Sequence, residues 1–154
     1  MGLDMYLYAS RYESRSQWRE DKGIEDFYPS ELQDLKTDIW ERNFLSKETK
    51  YQIGYWRKFN ALHSYIVKIY ADDEDKCQEI CLYPERIEHL LAVLKEVKNN
   101  PKKAPQLLPT QSGFFFGSTD YDEWYFKDVE YSIRLFEEVL KLPKEFDIYY
   151  QASW

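Results

Sequence analysis

The chain is short of the residues that most catalytic and metal sites require. It holds two cysteines, Cys77 and Cys81, and two histidines, His63 and His89, in 154 residues. The cysteines have no further thiols with which to complete a four-ligand zinc set. They read as reduced thiols of a cytoplasmic protein rather than as a disulfide. Long apolar runs are absent: nothing approaches the ~20 residues of a membrane span. The start Met-Gly-Leu-Asp-Met has neither the charged opening nor the apolar run of a signal peptide. Positive charge is in deficit, 21 Lys and Arg against 28 Asp and Glu, for a formal net charge of −7. General binding to duplex nucleic acid, which rests on cations against phosphates, is therefore excluded. No internal repeat or low-complexity tract occurs.

Aromatic residues are in surplus instead. Fourteen tyrosines, nine phenylalanines and five tryptophans suit flat contact surfaces with one wet edge. The 44% hydrophobic content separates the chain from disordered ones. Its length fits one domain, able to bury roughly 70% of its unfolded surface without a metal or disulfide staple.

Strands alternate with helices, which gives a single α+β domain over 1–154, a mixed sheet of about four or five strands with about three or four helices packed on it. Leu3–Tyr8 reads as a strand. Residues 11–50 read as a charged insertion: Arg11–Gly23 irregular, then a helix from a Ser30/Gln33 capping box to about Asn43. Tyr51–Gly54 fits a short strand or a helix entry. The spacing Tyr55, Phe59, Leu62, Ile66, Ile69 predicts a helix from Tyr55 to near Ala71, with Trp56, Asn60, His63 and Val67 as a second stripe. Gln78–Tyr83 is a strand candidate. Pro84 opens the cleanest amphipathic helix, through Ile87, Leu90, Leu91, Leu94 and Val97, and His89 lies off its apolar stripe. Lys102–Pro105 reads as a loop. Leu107–Thr110 and Gly113–Phe116 pattern as a hairpin, with the phenylalanines as a short buried strand. A Thr119/Asp122 capping box predicts a helix carrying Tyr125, Val129, Ile133, Phe136 and Leu140 inward, stopped at Pro143. Phe146–Ala152 is the last strand.

Two segments mix aromatic and polar residues in a way that burial alone does not explain. In the first, Arg57 and Lys58 fall in the expected first turn after Gly54, where cations oppose the helix dipole unless an anion docks there. Tyr55 and Trp56 supply rings for stacking, and Asn60 and His63 supply polar edges. The plain alternatives are solvated cations and a hydrogen-bonded core histidine. His63 has no nucleophile elbow beside it, so no catalytic residue is assigned. In the second segment, Phe116, Ser118, Thr119, Asp120, Asp122 and Trp124 surround Gly117. Acids at a helix start have a structural use, but they also accept from ribose hydroxyls or exocyclic amines. Gly54 and Gly117 read as tight turns before helices, which would bring both segments to one end of the sheet. No cofactor and no metal are implied.

Met1-Gly-Leu-Asp-Met-Tyr-Leu7, Gly54-Tyr-Trp-Arg-Lys-Phe-Asn-Ala-Leu-His63 and Leu108-Pro-Thr-Gln-Ser-Gly-Phe-Phe-Phe-Gly-Ser-Thr-Asp-Tyr-Asp-Glu-Trp-Tyr125 together resemble a family of small proteins encoded by bacteriophages, prophages and some bacteria. The resemblance implies a phage setting, the host cytoplasm, rather than a particular reaction. Expected from motifs and setting together is an accessory, anti-defence protein that sequesters an anionic, nucleotide-like small molecule without catalysis, as a homo-oligomer. The alternatives are a nucleotide or phosphoester enzyme using His63, and an inhibitor that docks on a host defence protein.

Overall fold

The structure, a computed structural model, describes residues 2–15, 27–35 and 45–154. Its strands are β1 (Asp4–Arg15), β2 (Leu45–Arg57), β3 (Ile80–Cys81) and β4 (Asp147–Ser153). The helices are α1 (Asn60–Tyr70), α2 (Pro84–Asn99), the short α3 (Ala104–Leu107) and α4 (Glu123–Val139). The strands form one antiparallel sheet in the order β2-β1-β4-β3, so the fold is α+β, with antiparallel pairing throughout where a mixed sheet was expected. Contacts divide the chain into two compact units, residues 1–9 with 51–154, and residues 10–50.

The larger unit owes its core to two periodicities. Along β1, Met5, Leu7 and Ala9 are buried while Asp4, Tyr6 and Tyr8 are half-buried, the period of two that lets one sheet face pack. Ile148, Tyr150 and Ala152 repeat this on β4, where Ile80 pairs with Tyr150 and Cys81 with Tyr149. Against these lie the helical stripes Leu62, Ile66 and Val67 of α1, Ile87, Leu90, Leu91, Leu94 and Val97 of α2, and Tyr125, Val129, Ile133 and Phe136 of α4. Leu140 caps α4 and is exposed rather than inward.

Several expectations change, among them the Lys102–Pro105 loop, which is helical from Pro101 to Leu107. Tyr55, Trp56 and Arg57 belong to β2, and α1 begins at Asn60. The period-two reading wins there because it buries Gly54 and Trp56 together on the inner side. Gly54 is not a helix entry; a Cβ there would run into Leu135 Cδ2 and come within 3.1 Å of Leu7 Cβ. The hairpin at 107–116 does not form: α3 occupies Ala104–Leu107, and Gly113–Phe116 is a turn closed by Phe116 N–H donating to Gly113 O (3.1 Å). Phe114, 96% exposed, stands on that turn instead of in a buried strand. Asp122, not Thr119, caps α4, its Oδ1 accepting from Tyr125 N–H at 3.0 Å.

In the smaller unit β1 continues as strand to Arg15, where an irregular segment was expected. The Ser30 segment is a 3₁₀ turn, Ser30–Leu35, with Ser30 Oγ donating to Glu31. The remainder of both expected segments, residues 16–23 and 36–43, lies outside the described residues. Phe27 is buried here beneath the Lys47 ammonium, 4.6 Å from its ring centre, and Tyr28 OH donates to Ser46 O at 2.7 Å.

Candidate ligand-binding site

The site is assembled around the chain's start. Leu3 O accepts from Lys58 N–H (2.8 Å) and Leu3 N–H donates to Phe115 O (3.0 Å), so one residue ties the end of β2 to the phenylalanine turn. Lys58 adopts a left-handed backbone, φ 61°, a conformation that a non-glycine residue holds only when its surroundings impose it. That kink ends β2 and aims the chain into α1. Gly117, φ 86°, completes the arrangement, since a Cβ there would press on the Lys58 stem at 3.0 Å.

Asn60 then staples the opposite wall. It is 2% exposed, its Nδ2 donates to Phe116 O (2.9 Å) and Ser118 O (2.8 Å), and its Oδ1 accepts from Gln111 N–H (2.9 Å). Every polar atom of this amide serves the loop, so Asn60 positions the site. Thr110 Oγ1 donates to Thr119 O (2.9 Å), and Ser118 Oγ donates to Asp120 Oδ2 (3.0 Å) while accepting from Asp120 N–H. Tyr125 OH donates to Leu108 O at 2.8 Å, and burial holds that phenol well above its ordinary value.

Between these walls is an open cavity of about 230 Å³. Arg57, Lys58, Phe59 and Asn60 form one side, Thr110, Ser118 and Asp120 the loop side, and Asp122, Trp124, Tyr125 and Asp128 the α4 side. Trp124 is 69% exposed, with Lys127 Nζ over its ring at 4.5 Å from the centre. Among the described residues no ion pair joins Arg57 or Lys58 to the three aspartates across the cavity, and no group of three potential ligands is placed to hold a metal ion.

Of the residues singled out from the sequence, the cavity gathers Arg57, Lys58, Asn60, Ser118, Asp120, Asp122 and Trp124. The others lie elsewhere. Trp56 is in the core, its Nε1–H donating to Ser132 Oγ at 2.8 Å. Tyr55 OH donates to Asp4, which raises its pKa. His63 is buried between Tyr150 OH (2.8 Å) and Asp75 (2.9 Å). Phe116 packs edge-on against His63 and Trp154, and Thr119 contributes its carbonyl to Thr110. Sequence reading missed Phe59, Thr110, Tyr125 and Asp128. The signal for Asp128 was available: it lies four residues after Trp124, on the same helical face.

Asp128 is half-buried, and burial first, then the neighbouring Asp122 charge, push its pKa from 3.8 up to about 6. A folded-state value above the unfolded one means that the ionised form opposes folding at neutral pH. Asp128→Asn is therefore expected to stabilise the protein by about 1–2 kcal/mol at pH 7, the full shift being discounted for partial solvent screening. The gain should fade as pH drops from about 6 to about 4, where Asp128 protonates in both states. Urea midpoints of both proteins at pH 7.5 and pH 4 read this directly; an equal gain at both values refutes it.

A second cavity, about 470 Å³, is bounded mainly by apolar groups such as Leu82, Ile87, Val139, Leu142 and Phe146. It contains none of the residues expected from the sequence to bind a ligand. Comparison with protein-family models, curated proteins and solved structures finds no match to this chain.

Proposed function

We propose that the cavity at the Lys58 kink binds a nucleotide-like phosphate compound, and that the protein acts as a phage accessory factor sequestering that compound. The phage setting comes from the sequence resemblance. The supporting observation for the ligand is the convergence of Arg57 and Lys58, with no ion-pair partner among the described residues, on one cavity with the exposed Trp124 ring. Cations there attract phosphate, and an aromatic ring at the rim stacks on a base. Catalysis through His63 has no support, because both ring nitrogens are engaged and the ring is 2% exposed.

Thermal unfolding with a panel of cyclic and linear nucleotides tests the reading. A ligand at 100 times its dissociation constant adds ~2.7 kcal/mol, or about 5–10 °C for a chain of this size. At least one nucleotide should give that shift, Arg57→Ala/Lys58→Ala should lose it, and the compound should be recovered intact after denaturation. Recovery of a product identifies an enzyme instead. A second reading, a protein inhibitor of a host defence factor, draws on Phe114, which protrudes as an uncovered apolar anchor. It gains if no nucleotide shifts the transition and Phe114→Ser abolishes anti-defence activity.

A further inference from the structure

We propose that the ligand of this cavity is bipolar: a phosphate ester whose other end carries a hydroxyl or amine that donates a hydrogen bond to Asp128. The inference rests on the phosphate reading above and deepens it. Its basis is the placement of opposite charges that do not neutralise each other. Arg57 and Lys58 line one side and Asp128 the other, with no ion pair between them. The remaining acids have occupations: Asp120 accepts from Ser118, and Asp122 caps α4. The Asp128 carboxylate has neither a hydrogen-bond nor an ion-pair partner among the described residues, although it is half-buried and only its backbone carbonyl is used, by Ser132 Oγ (2.6 Å).

A partly desolvated carboxylate without a partner is costly, and a donor supplied by a ligand relieves that cost. A wholly anionic compound does the reverse, because its far end meets like charge. Size adds a limit. About 230 Å³ lies below the ~300–1,000 Å³ of pockets that enclose a drug-sized ligand. The cavity thus holds a phosphate and a short donor-bearing carbon unit, and any base lies outside against Trp124. Asp128 is, on this arrangement, the specificity-determining residue; burial first, then the Asp122 charge beside it, raises its pKa.

Titration calorimetry on the full chain at pH 7.5 with three probes decides it. Methyl phosphate carries the anion alone, ribose 5-phosphate adds hydroxyl donors, and 2-aminoethyl phosphate adds an amine. At least one donor-bearing probe should bind about tenfold tighter than methyl phosphate, since hydrogen bonds to a charged group carry about that much discrimination. Which of the two gains more identifies the donor. In Asp128→Asn the advantage should shrink to about twofold or less, while methyl phosphate binds no more weakly than before. Equal affinities for all three probes, or an advantage that survives in Asp128→Asn, overturns the proposal and leaves phosphate binding standing. Failure of all three to bind removes the phosphate reading as well.

Discussion

Trp56→Ala is expected to destabilise the protein by about 3–5 kcal/mol, whereas Trp124→Ala should cost almost nothing in stability and weaken ligand binding instead. The two indoles look alike in the sequence, each set among charged and aromatic neighbours. The fold separates them. Trp56 is 2% exposed, with Tyr131 edge-on at 5.7 Å between ring centres and Phe136 tilted at 6.0 Å. Its indole N–H donates to Ser132 Oγ, which in turn donates to the Asp128 carbonyl. Alanine there opens a void in close-packed interior and leaves that hydroxyl short of a donor. Trp124 sits at the cavity rim, and its loss opens no interior space. Guanidinium unfolding of the two variants, paired with nucleotide titration, separates the roles. Near-wild-type stability of Trp56→Ala would contradict the core assignment.

How much of this was legible depended on whether one periodicity stood alone. The apolar stripe of α2 admits only a helix, and the alternation Ile148, Tyr150, Ala152 only a strand, so both were readable before any coordinates. Between Tyr51 and Phe59 two periods compete: Tyr55, Phe59 and Leu62 fit a helix, while Gly54 and Trp56 fit a strand. Long-range packing on Leu135 and Phe136 resolves the conflict, and no local signal carries that information. The left-handed Lys58 is likewise invisible, because its sequence neighbours do not require it. Even so, Arg57 and Lys58 remain at the amino end of α1, just ahead of its first turn rather than in it. The charge pattern therefore pointed to residues that line the cavity, through a helix start that was set too early. The Gly113–Phe116 error has a different origin. Three adjacent phenylalanines read as buried, but two flanking glycines and the Asn60 staple favour a turn that leaves Phe114 in solvent.

His63→Leu is expected to cost about 2–4 kcal/mol and to loosen the 71–79 segment, with no selective loss of a chemical step. The ring bridges two partners that have no other side-chain hydrogen bond among the described residues. The Asp75 carboxylate accepts from Nε2–H, which in the neutral ring leaves Nδ1 to accept from Tyr150 OH. Burial drives the Tyr150 phenol far above its ordinary value, which keeps it a neutral donor. Leucine fills most of the volume but strands a fully buried hydroxyl, a penalty of about 1–3 kcal/mol, and releases the carboxylate. Asp75 belongs to a stretch in which Asp72, Asp73 and Cys77 all hold positive φ, between 52° and 61°. That stretch is held by the His63–Asp75 pair, by Gln151 Nε2 donating to Cys77 O at 3.0 Å and by Asp73 N–H donating to Val67 O at 3.2 Å. Losing the first should raise amide exchange across residues 72–79 well before global unfolding. Adding Tyr150→Phe to His63→Leu removes the stranded hydroxyl, so the double variant should be about 1–2 kcal/mol more stable than additivity requires. Strict additivity, or unchanged exchange in the segment, would show that the bridge does not hold the loop and would return His63 to consideration as a chemical group.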